Sequence, residues 1–195
     1  MNDPYIDPAS GLLRNHPEIT DRERLARVEA AVSLAAMYAL GAETLPGEFN
    51  LAHLQAFHRR IFGKVYPWAG EIRTVAIAKT DMFCLPQHIE PYSREVFGSL
   101  AAENHLRGLA RKHFVERLTH FFAEVNAIHP FREGNGRSQR AFFHQLAREA
   151  GWPIRWVGLD PEANIEASIA SLRGDNAPLR TLLDGLVSLE ESDDR

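Results

Sequence analysis

Apolar side chains recur every three or four residues along most of this 195-residue chain, and that spacing places them on one face of an α-helix. The pattern restricts the fold more than any other feature, because a half-buried strand needs alternation at every second residue. The segments that carry it are 25–39, 51–61, 89–100, 114–128, 142–146 and 179–186. The sequence therefore predicts an all-α bundle of about seven or eight helices.

Local signals mark the ends of the first two helices. Thr20 and Glu23 have the spacing of a capping box, and the helix that follows is expected to end near Gly41. Asn50 is a good N-cap for the second helix, and Gly63 is placed as its C-terminal stop. These residues predict two helices joined by a short connection.

Proline and glycine set the later boundaries. Pro130 disfavours a helical conformation at His129, so the helix over 114–128 is expected to end there. A glycine-containing loop and a helix over about 137–150 follow. Asp160-Pro161 and Ala177-Pro178 have the form of two further helix starts. The acidic tail from Glu190 is expected to fray.

One stretch departs from the helical pattern. After an aromatic and proline-containing segment at 66–70, residues 73–78 and 82–85 flank a polar turn of Lys79, Thr80 and Asp81. This arrangement predicts a short β-hairpin. Because an isolated hairpin is marginal in water, it is expected to lie on the helical body or to await a partner strand.

Composition favours one globular domain over residues 1–195. Hydrophobic residues make up 45% of the chain and charged residues 25%, which is typical of folded proteins. The net charge of −4 and the lack of a Lys/Arg run argue against direct nucleic-acid binding. A length of 195 residues suits a single core.

Cysteine usage and hydropathy indicate a cytoplasmic protein. The single cysteine, Cys84, excludes an internal disulfide and a multi-cysteine metal site, and its expected role is packing. The first residues lack the pattern of a signal peptide, and by inspection no window approaches the 18 apolar residues of a membrane span. We therefore expect neither export nor membrane attachment.

The segment 129–140 collects the residues that carry chemistry. A Gly-Asn-Gly turn before a helix directs backbone N–H groups and the positive end of the helix dipole at one point, which suits a phosphate. Arg137 and Arg140 lie three apart on one helix face, where their guanidinium groups can hold phosphate oxygens. Glu133 suits Mg²⁺ beside a polyphosphate, and His129 suits proton transfer near neutral pH.

This segment resembles the signature of the Fic family, His-Pro-Phe-any-Asp/Glu-Gly-Asn-Gly-Arg-any-any-Arg, and departs from it nowhere. The resemblance extends over about 25–156, including the helix that ends at 59–62 and the stretch 66–73. It implies an all-α Fic-type bundle in which the hairpin is a flap that aligns an extended segment of a target protein. The flap residues are Thr74, Val75, Ala76, Ile77, Ala78, Lys79, Thr80, Asp81, Met82 and Phe83.

The resemblance also implies a role for each motif residue. His129 would be the general base towards the target hydroxyl, Phe131 a core anchor for the loop and Glu133 the Mg²⁺ ligand. The terminal phosphate would contact Arg140. The remaining phosphate binders would be Gly134, Asn135, Gly136 and Arg137.

The implied reaction is transfer of AMP from Mg²⁺-bound ATP to a Ser, Thr or Tyr hydroxyl of a target protein. Some Fic proteins in which the Gly-Asn-Gly-Arg section is altered have other activities, so the intact section favours AMP. The alternatives are a Fic-fold enzyme that transfers UMP, phosphate or phosphocholine, and an inactive nucleotide-binding interaction module. An intact His129 argues against the inactive module.

The sequence lacks an inhibitory motif by which many Fic relatives are regulated. Many Fic relatives carry an inhibitory helix with the pattern Ser/Thr-any-any-any-Glu-Gly/Asn. Thr44 and Glu48 have the spacing, but Phe49 follows, and Pro46 with Gly47 disfavours a helix. The resemblance therefore implies a toxin whose inhibitor is a separate small antitoxin protein. Compact toxins of this family modify type II DNA topoisomerase subunits, which makes such a subunit the candidate target.

Overall fold

The computed structural model describes residues 3–188, and the tail from Glu190 lies outside them. The described chain is helical, and the sequence-based prediction of an all-α bundle is confirmed. Two short 3₁₀ segments, Asn104–Leu106 and Trp156–Gly158, join neighbouring helices. The α-helices are α1 (Arg22–Ala42), α2 (Leu51–Phe62), α3 (Pro86–Ala102), α4 (Arg111–Ile128), α5 (Asn135–Glu149), α6 (Pro161–Leu172) and α7 (Ala177–Leu186).

The core forms where α2, α4 and α5 meet. Phe57 of α2 packs edge-on against Phe142 of α5, with ring centroids 6.0 Å apart. Phe121 of α4 and Phe143 of α5 are also fully buried. Outer helices complete the layers: α1 lies on α2 and α5, α3 lies on α4, and α6 and α7 pack on each other and on α4. This arrangement holds the connection between α4 and α5 against the body of the protein.

Several helix ends agree with the sequence signals. The Asn50 side chain accepts a hydrogen bond from the N–H of His53 at 2.9 Å, so α2 is capped as predicted. Asp160 likewise accepts from two N–H groups of the first turn of α6. The start of α1 differs, because Asp21, and not Thr20, caps it by accepting from the N–H of Arg24 at 2.8 Å. A carboxylate at the positive end of a helix dipole is the stronger cap.

The predicted hairpin is present in reduced form. Ala78 and Met82 form one isolated antiparallel bridge, and no regular strand extends from it within residues 3–188. One reason is that the carbonyl of Val75, which the next bond of the ladder would use, is taken by a side chain, and the second arm is also held to α4 at Cys84. The Arg73 side chain donates to the carbonyls of Val75 and Cys84, and the N–H of Cys84 donates to a carbonyl of α4. The two arms therefore separate after one bridge.

The hydropathy of α1 differs from the expectation that no window approaches the length and apolarity of a membrane span. By length and composition alone, this helix is apolar enough to cross a membrane, although inspection of the sequence detected no such window. Only 17% of its most apolar window is buried in the protein. Leu34 and Tyr38 are 72% and 84% exposed. Length and hydropathy alone do not assign a membrane helix. The exposure of its side chains shows that α1 has an exposed apolar face (Ala31, Leu34, Ala35 and Tyr38).

Candidate active site

The site begins where α4 ends. His129 has φ 47° and ψ 60°, a left-handed conformation, and its N–H still bonds to the carbonyl of Val125 at 3.1 Å. Pro130 cannot continue the helix, so the chain turns at this point as the sequence predicts. The turn places the His129 imidazole at the edge of the core, where 8% of the residue is exposed.

The His129 ring is held in one orientation and one tautomer. Nδ1 lies 3.1 Å from the carbonyl of Asn126 and therefore carries the proton, which leaves Nε2 as an acceptor. Phe83 of the flap stacks on the ring at 3.7 Å between centroids. Burial, and then the positive charges of Lys79 and Arg73, lower the pKa of His129 from 6.5 to about 3. The imidazole is neutral near pH 7 and able to accept a proton.

The motif loop (residues 129–134) is closed from within. The side chain of Asn135 accepts from the N–H of Phe131 at 2.9 Å and donates to its carbonyl at 2.7 Å. Gly134 has φ 81°, and a Cβ there would lie 2.3 Å from the ring of Phe62. Only glycine fits both the left-handed backbone and this close approach. Asn135 thus shapes the loop with its side chain and offers only its backbone N–H to a phosphate.

The first turn of α5 is a ready anion site. The helix begins at Asn135, two residues earlier than predicted, because Gly134 turns the chain into it without a capping side chain. Within residues 3–188, no hydrogen bond uses the backbone N–H of Asn135, Gly136 or Arg137. These three donors and the helix dipole give the start of α5 a positive end, and its first two residues line a cavity together with His129.

The two motif arginines have different surroundings. Arg137 is turned towards α1, where it donates to Ser33 at 3.0 Å and pairs with the carboxylate of Glu29. Its guanidinium also lies over the ring of Phe62 at 4.6 Å. Arg140 has no hydrogen-bond or ion-pair partner among residues 3–188, and burial lowers its pKa. The structure thus leaves Arg140 available to an anion, whereas the side chain of Arg137 is already occupied.

Glu133 lies at the open side of the loop. One carboxylate oxygen accepts the N–H of Gly134 at 2.9 Å and lies 3.8 Å from Arg137. The side chain is 48% exposed. Residues 3–188 contain no cluster of three or more His, Cys, Asp or Glu side chains that would hold a metal without a substrate. A single accessible carboxylate fits Mg²⁺, which takes its other ligands from substrate phosphates and water.

Two cavities meet at His129. The larger, of about 900 Å³, runs between the motif loop and the flap and is bordered by Glu133. The smaller, of about 160 Å³, lies between Arg140, the flap tip and α6. His129 and Gly136 line both. The imidazole therefore lies between the larger cavity, which the flap borders, and the smaller cavity, which Arg140 lines.

Three supporting residues escaped the sequence analysis. His58 is fully buried; its Nε2 lies 2.9 Å from the carbonyl of Glu133, and its Nδ1 accepts the N–H of Gly70 at 2.7 Å. Glu29 pairs with Arg137, and Arg73 is buried beneath the flap. Apart from Val75, which is two residues from Arg73, their hydrogen-bond partners are 11 to 108 residues away in sequence, so no local pattern reveals them. For Arg73, the only available signal was a basic residue at the end of the turn-like segment 66–73.

The sequence model of the Fic/DOC family matches residues 48–147, which contain the motif loop, the flap and the helices that hold them. The chain belongs to the Fic/DOC family. It is 42% identical over 183 residues to "Protein adenylyltransferase VbhT" of Bartonella schoenbuchensis, covering 93% of this chain and 38% of VbhT. It is 37% identical to "Probable protein adenylyltransferase Fic" of Escherichia coli strain K12, covering 95% of this chain and 92% of that protein.

Solved Fic domains share the fold. The N-terminal Fic domain of a VirB-translocated Bep effector protein from Bartonella quintana superposes with a TM-score of 0.89 at 27% identity, covering 96% of each chain. That domain was crystallised with bound ADP. The agreement over nearly the whole chain supports the Fic-type bundle implied by the motif.

Proposed function

We propose that this Fic-family chain transfers AMP from ATP to a hydroxyl side chain of a target protein. The observation that carries the proposal is the convergence of three kinds of group. The imidazole of His129, the start of α5 at Gly136, and the guanidinium of Arg140, which has no partner among residues 3–188, all line the smaller cavity. A polyphosphate next to a proton acceptor satisfies all three. The adenylyltransferase names of the relatives and the ADP bound to the B. quintana domain support the same reading.

The chemical step follows from this arrangement. The target hydroxyl gives its proton to Nε2 of His129 as its oxygen attacks the α-phosphorus of ATP. The bond to the β-phosphate oxygen breaks, and pyrophosphate leaves. The N–H groups of Asn135 and Gly136 and the guanidinium of Arg140 hold the phosphates, so the enzyme supplies mainly position and charge. The hydrogen bond from Nδ1 to Asn126 stabilises the imidazolium that forms.

Glu133 is the residue that would hold Mg²⁺ at this site. The ion, when bound with ATP, neutralises the charge that develops on the phosphates. The carboxylate already faces the larger cavity, and its hydrogen bond to Gly134 fixes one oxygen. The other oxygen has no hydrogen-bond or ion-pair partner among residues 3–188 and would be available for the ion.

Target binding is assigned to the flap. The N–H groups of Val75, Ala76, Ile77 and Ala78 take part in no hydrogen bond within residues 3–188, and the same residues line the larger cavity. An extended segment of a target protein can add to such an edge by main-chain pairing. Pairing of this type requires no particular side chain, so the flap would set the register of the target beside His129.

The regulatory part of the proposal is that this chain is a toxin inhibited by a separate small antitoxin, with a type II DNA topoisomerase subunit as the candidate target. The exposed apolar face of α1 supports it, because that face lies on the helix that holds Arg137 and is suited to a partner helix. Co-purification and activity assays with the small protein encoded beside this chain test the idea. Full activity in the presence of every such neighbour would contradict it.

The experiment that tests the transfer uses ATP labelled on either the α- or the γ-phosphate. The purified chain and a His129→Ala control are incubated with Mg²⁺ and bacterial lysate. We expect protein bands labelled from the α-phosphate only, and none with the control. Labelling from the γ-phosphate only would make the chain a kinase instead, and mass spectrometry of a labelled band identifies the target and residue.

A further inference from the structure

Arg73 is the most deeply buried charged side chain in the described part of the protein, at 1% exposed. Its guanidinium donates to four backbone carbonyls and contacts no carboxylate among residues 3–188. Two of these carbonyls belong to the two arms of the hairpin: that of Val75, at 2.8 Å, and that of Cys84, the residue after the flap. The other two lie at the end of α4, those of His129 at 2.8 Å and Ile128 at 3.3 Å.

The location explains how a cation can be buried without a carboxylate. The last carbonyls of α4 have no partner within the helix and carry the negative end of its dipole. Arg73 satisfies two of them and offsets that partial charge. The flat guanidinium, with its five N–H donors, reaches all four acceptors at once. The backbone N–H of Arg73 adds a fifth link, to the carbonyl of Pro130 at 2.9 Å.

We propose that Arg73 is a positioning residue whose guanidinium fastens both arms of the flap to the end of α4. It thereby fixes His129 and the target-docking edge relative to each other. No other side chain in the described residues bonds to both elements. Since the flap has only one bridge of its own, this link substitutes for the missing ladder. The proposal rests on the proposed function for its kinetic readout, but not for its two structural readouts.

The charge of Arg73 has a second, measurable effect at His129. Among the charged groups near the imidazole, Arg73 and Lys79 lower its pKa, after the larger effect of burial. Asp81 and Arg140 line the same smaller cavity, and Glu133 lines the larger one. Removal of the guanidinium takes away a positive charge and lets water reach the ring from the flap side. Both changes move the pKa of His129 upward.

The test compares Arg73→Met and Arg73→Lys with a matched control, Arg117→Met. Arg117 is a residue of α4 itself, and its guanidinium pairs with the carboxylate of Glu103. The first readout is amide exchange at Cys84, whose N–H bonds to Ala127 of α4 at 3.0 Å. We expect Arg73→Met to raise this exchange about tenfold or more, with no change at the capped N–H of His53.

The second readout is titration of the His129 imidazole by NMR, which should shift upward in Arg73→Met and remain as in the parent in Arg117→Met. Arg73→Lys keeps the charge but reaches fewer carbonyls, so amide exchange at Cys84 should rise while the pKa of His129 moves less.

The third readout is kinetic. In Arg73→Met, kcat/KM for the protein target should fall about tenfold or more, and the Kd of a non-hydrolysable ATP analogue should change less than about threefold.

The structural readouts separate this proposal from the proposed function. If the parent chain transfers no AMP, exchange and titration still decide the role of Arg73. Should Arg73→Met fail to fold, Arg73→Lys decides on its own by its exchange at Cys84. Unchanged exchange at Cys84 in the folded variants, or equal changes in Arg117→Met, would overturn the proposal.

Discussion

The motif loop and the flap border the same cavity, but they are held in place in different ways. The motif loop is closed by its own neighbours, with Asn135 bonded twice to Phe131 and His129 bonded to Asn126. The flap pairs with itself only at Ala78 and Met82. Chemistry needs groups fixed within fractions of an ångström, whereas docking of a varied peptide needs an unpaired edge. The protein therefore combines a closed motif loop with an open flap edge, as the proposed function requires.

The largest expected effect is on kcat, from a substitution in the motif loop. Replacement of His129 by alanine removes the proposed proton acceptor, and kcat should fall about 10²- to 10⁴-fold. The loop itself should stay folded, because Asn135 still closes it. Rates of AMP transfer to a purified target measure the effect, and binding of an ATP analogue serves as the control. A variant that keeps its rate would show that another group accepts the proton.

Closure of the loop gives the next largest effect. Asn135→Ala leaves the N–H and the carbonyl of Phe131 buried without partners, and we expect a loss of about 2–3 kcal/mol in the free energy of unfolding. Asn135→Asp keeps the acceptor and loses the donor, so it should lie between alanine and the parent. Urea unfolding of the three proteins provides the comparison. Equal stability of all three would mean that the loop does not depend on this side chain.

Local signals predicted the helices and the motif well. Apolar spacing fixed six helical segments, Asn50 and Asp160 proved to be caps, and Pro130 marked the end of α4. These features depend on residues close in sequence, so a pattern is enough to find them. The predicted start of α5 was two residues too late. The helix begins directly after Gly134, whose φ of 81° and close approach to Phe62 are features of the packed structure.

Tertiary contacts decided what the sequence could not predict. The motif implied phosphate contacts for Asn135 and Arg137, yet the Asn135 side chain closes the loop and Arg137 pairs with Glu29. Those partners come from the fold and not from spacing. The same holds for the flap, where Arg73 takes the carbonyl of Val75, which a longer hairpin ladder would have used. The roles of phosphate binders assigned to the motif residues remain predictions.

The stability of the protein should depend on pH through the buried histidine His58, which supports the motif loop. Burial lowers the pKa of His58 to about 4, so this residue is neutral in the folded state and takes up a proton more readily when unfolded. Stability from this residue is complete above pH 6.5 and is lost as the pH falls towards 4. Between pH 7 and pH 5 the expected loss is about 2 kcal/mol.

Urea unfolding across that range measures the loss, and His58→Asn should make it smaller by about 2 kcal/mol. Its side chain carries no titrating group but keeps a donor and an acceptor for Glu133 and Gly70. His129, with its pKa lowered to about 3, contributes in the same direction, so a residual slope should remain in His58→Asn. The same dependence in parent and variant would mean that His58 does not titrate with unfolding.

The smallest effect is expected at the flap edge. Ala76→Pro removes one unpaired N–H, and Ala76→Ser keeps it with a similar side-chain volume. If the target pairs with this edge, the proline variant should raise KM for the target about three- to tenfold, equivalent to one hydrogen bond of about 1 kcal/mol. Unfolding should be unaffected, because this N–H has no partner within residues 3–188. Equal KM values for proline and serine would instead assign target recognition to the cavity side chains, because main-chain pairing cannot survive the loss of its donor.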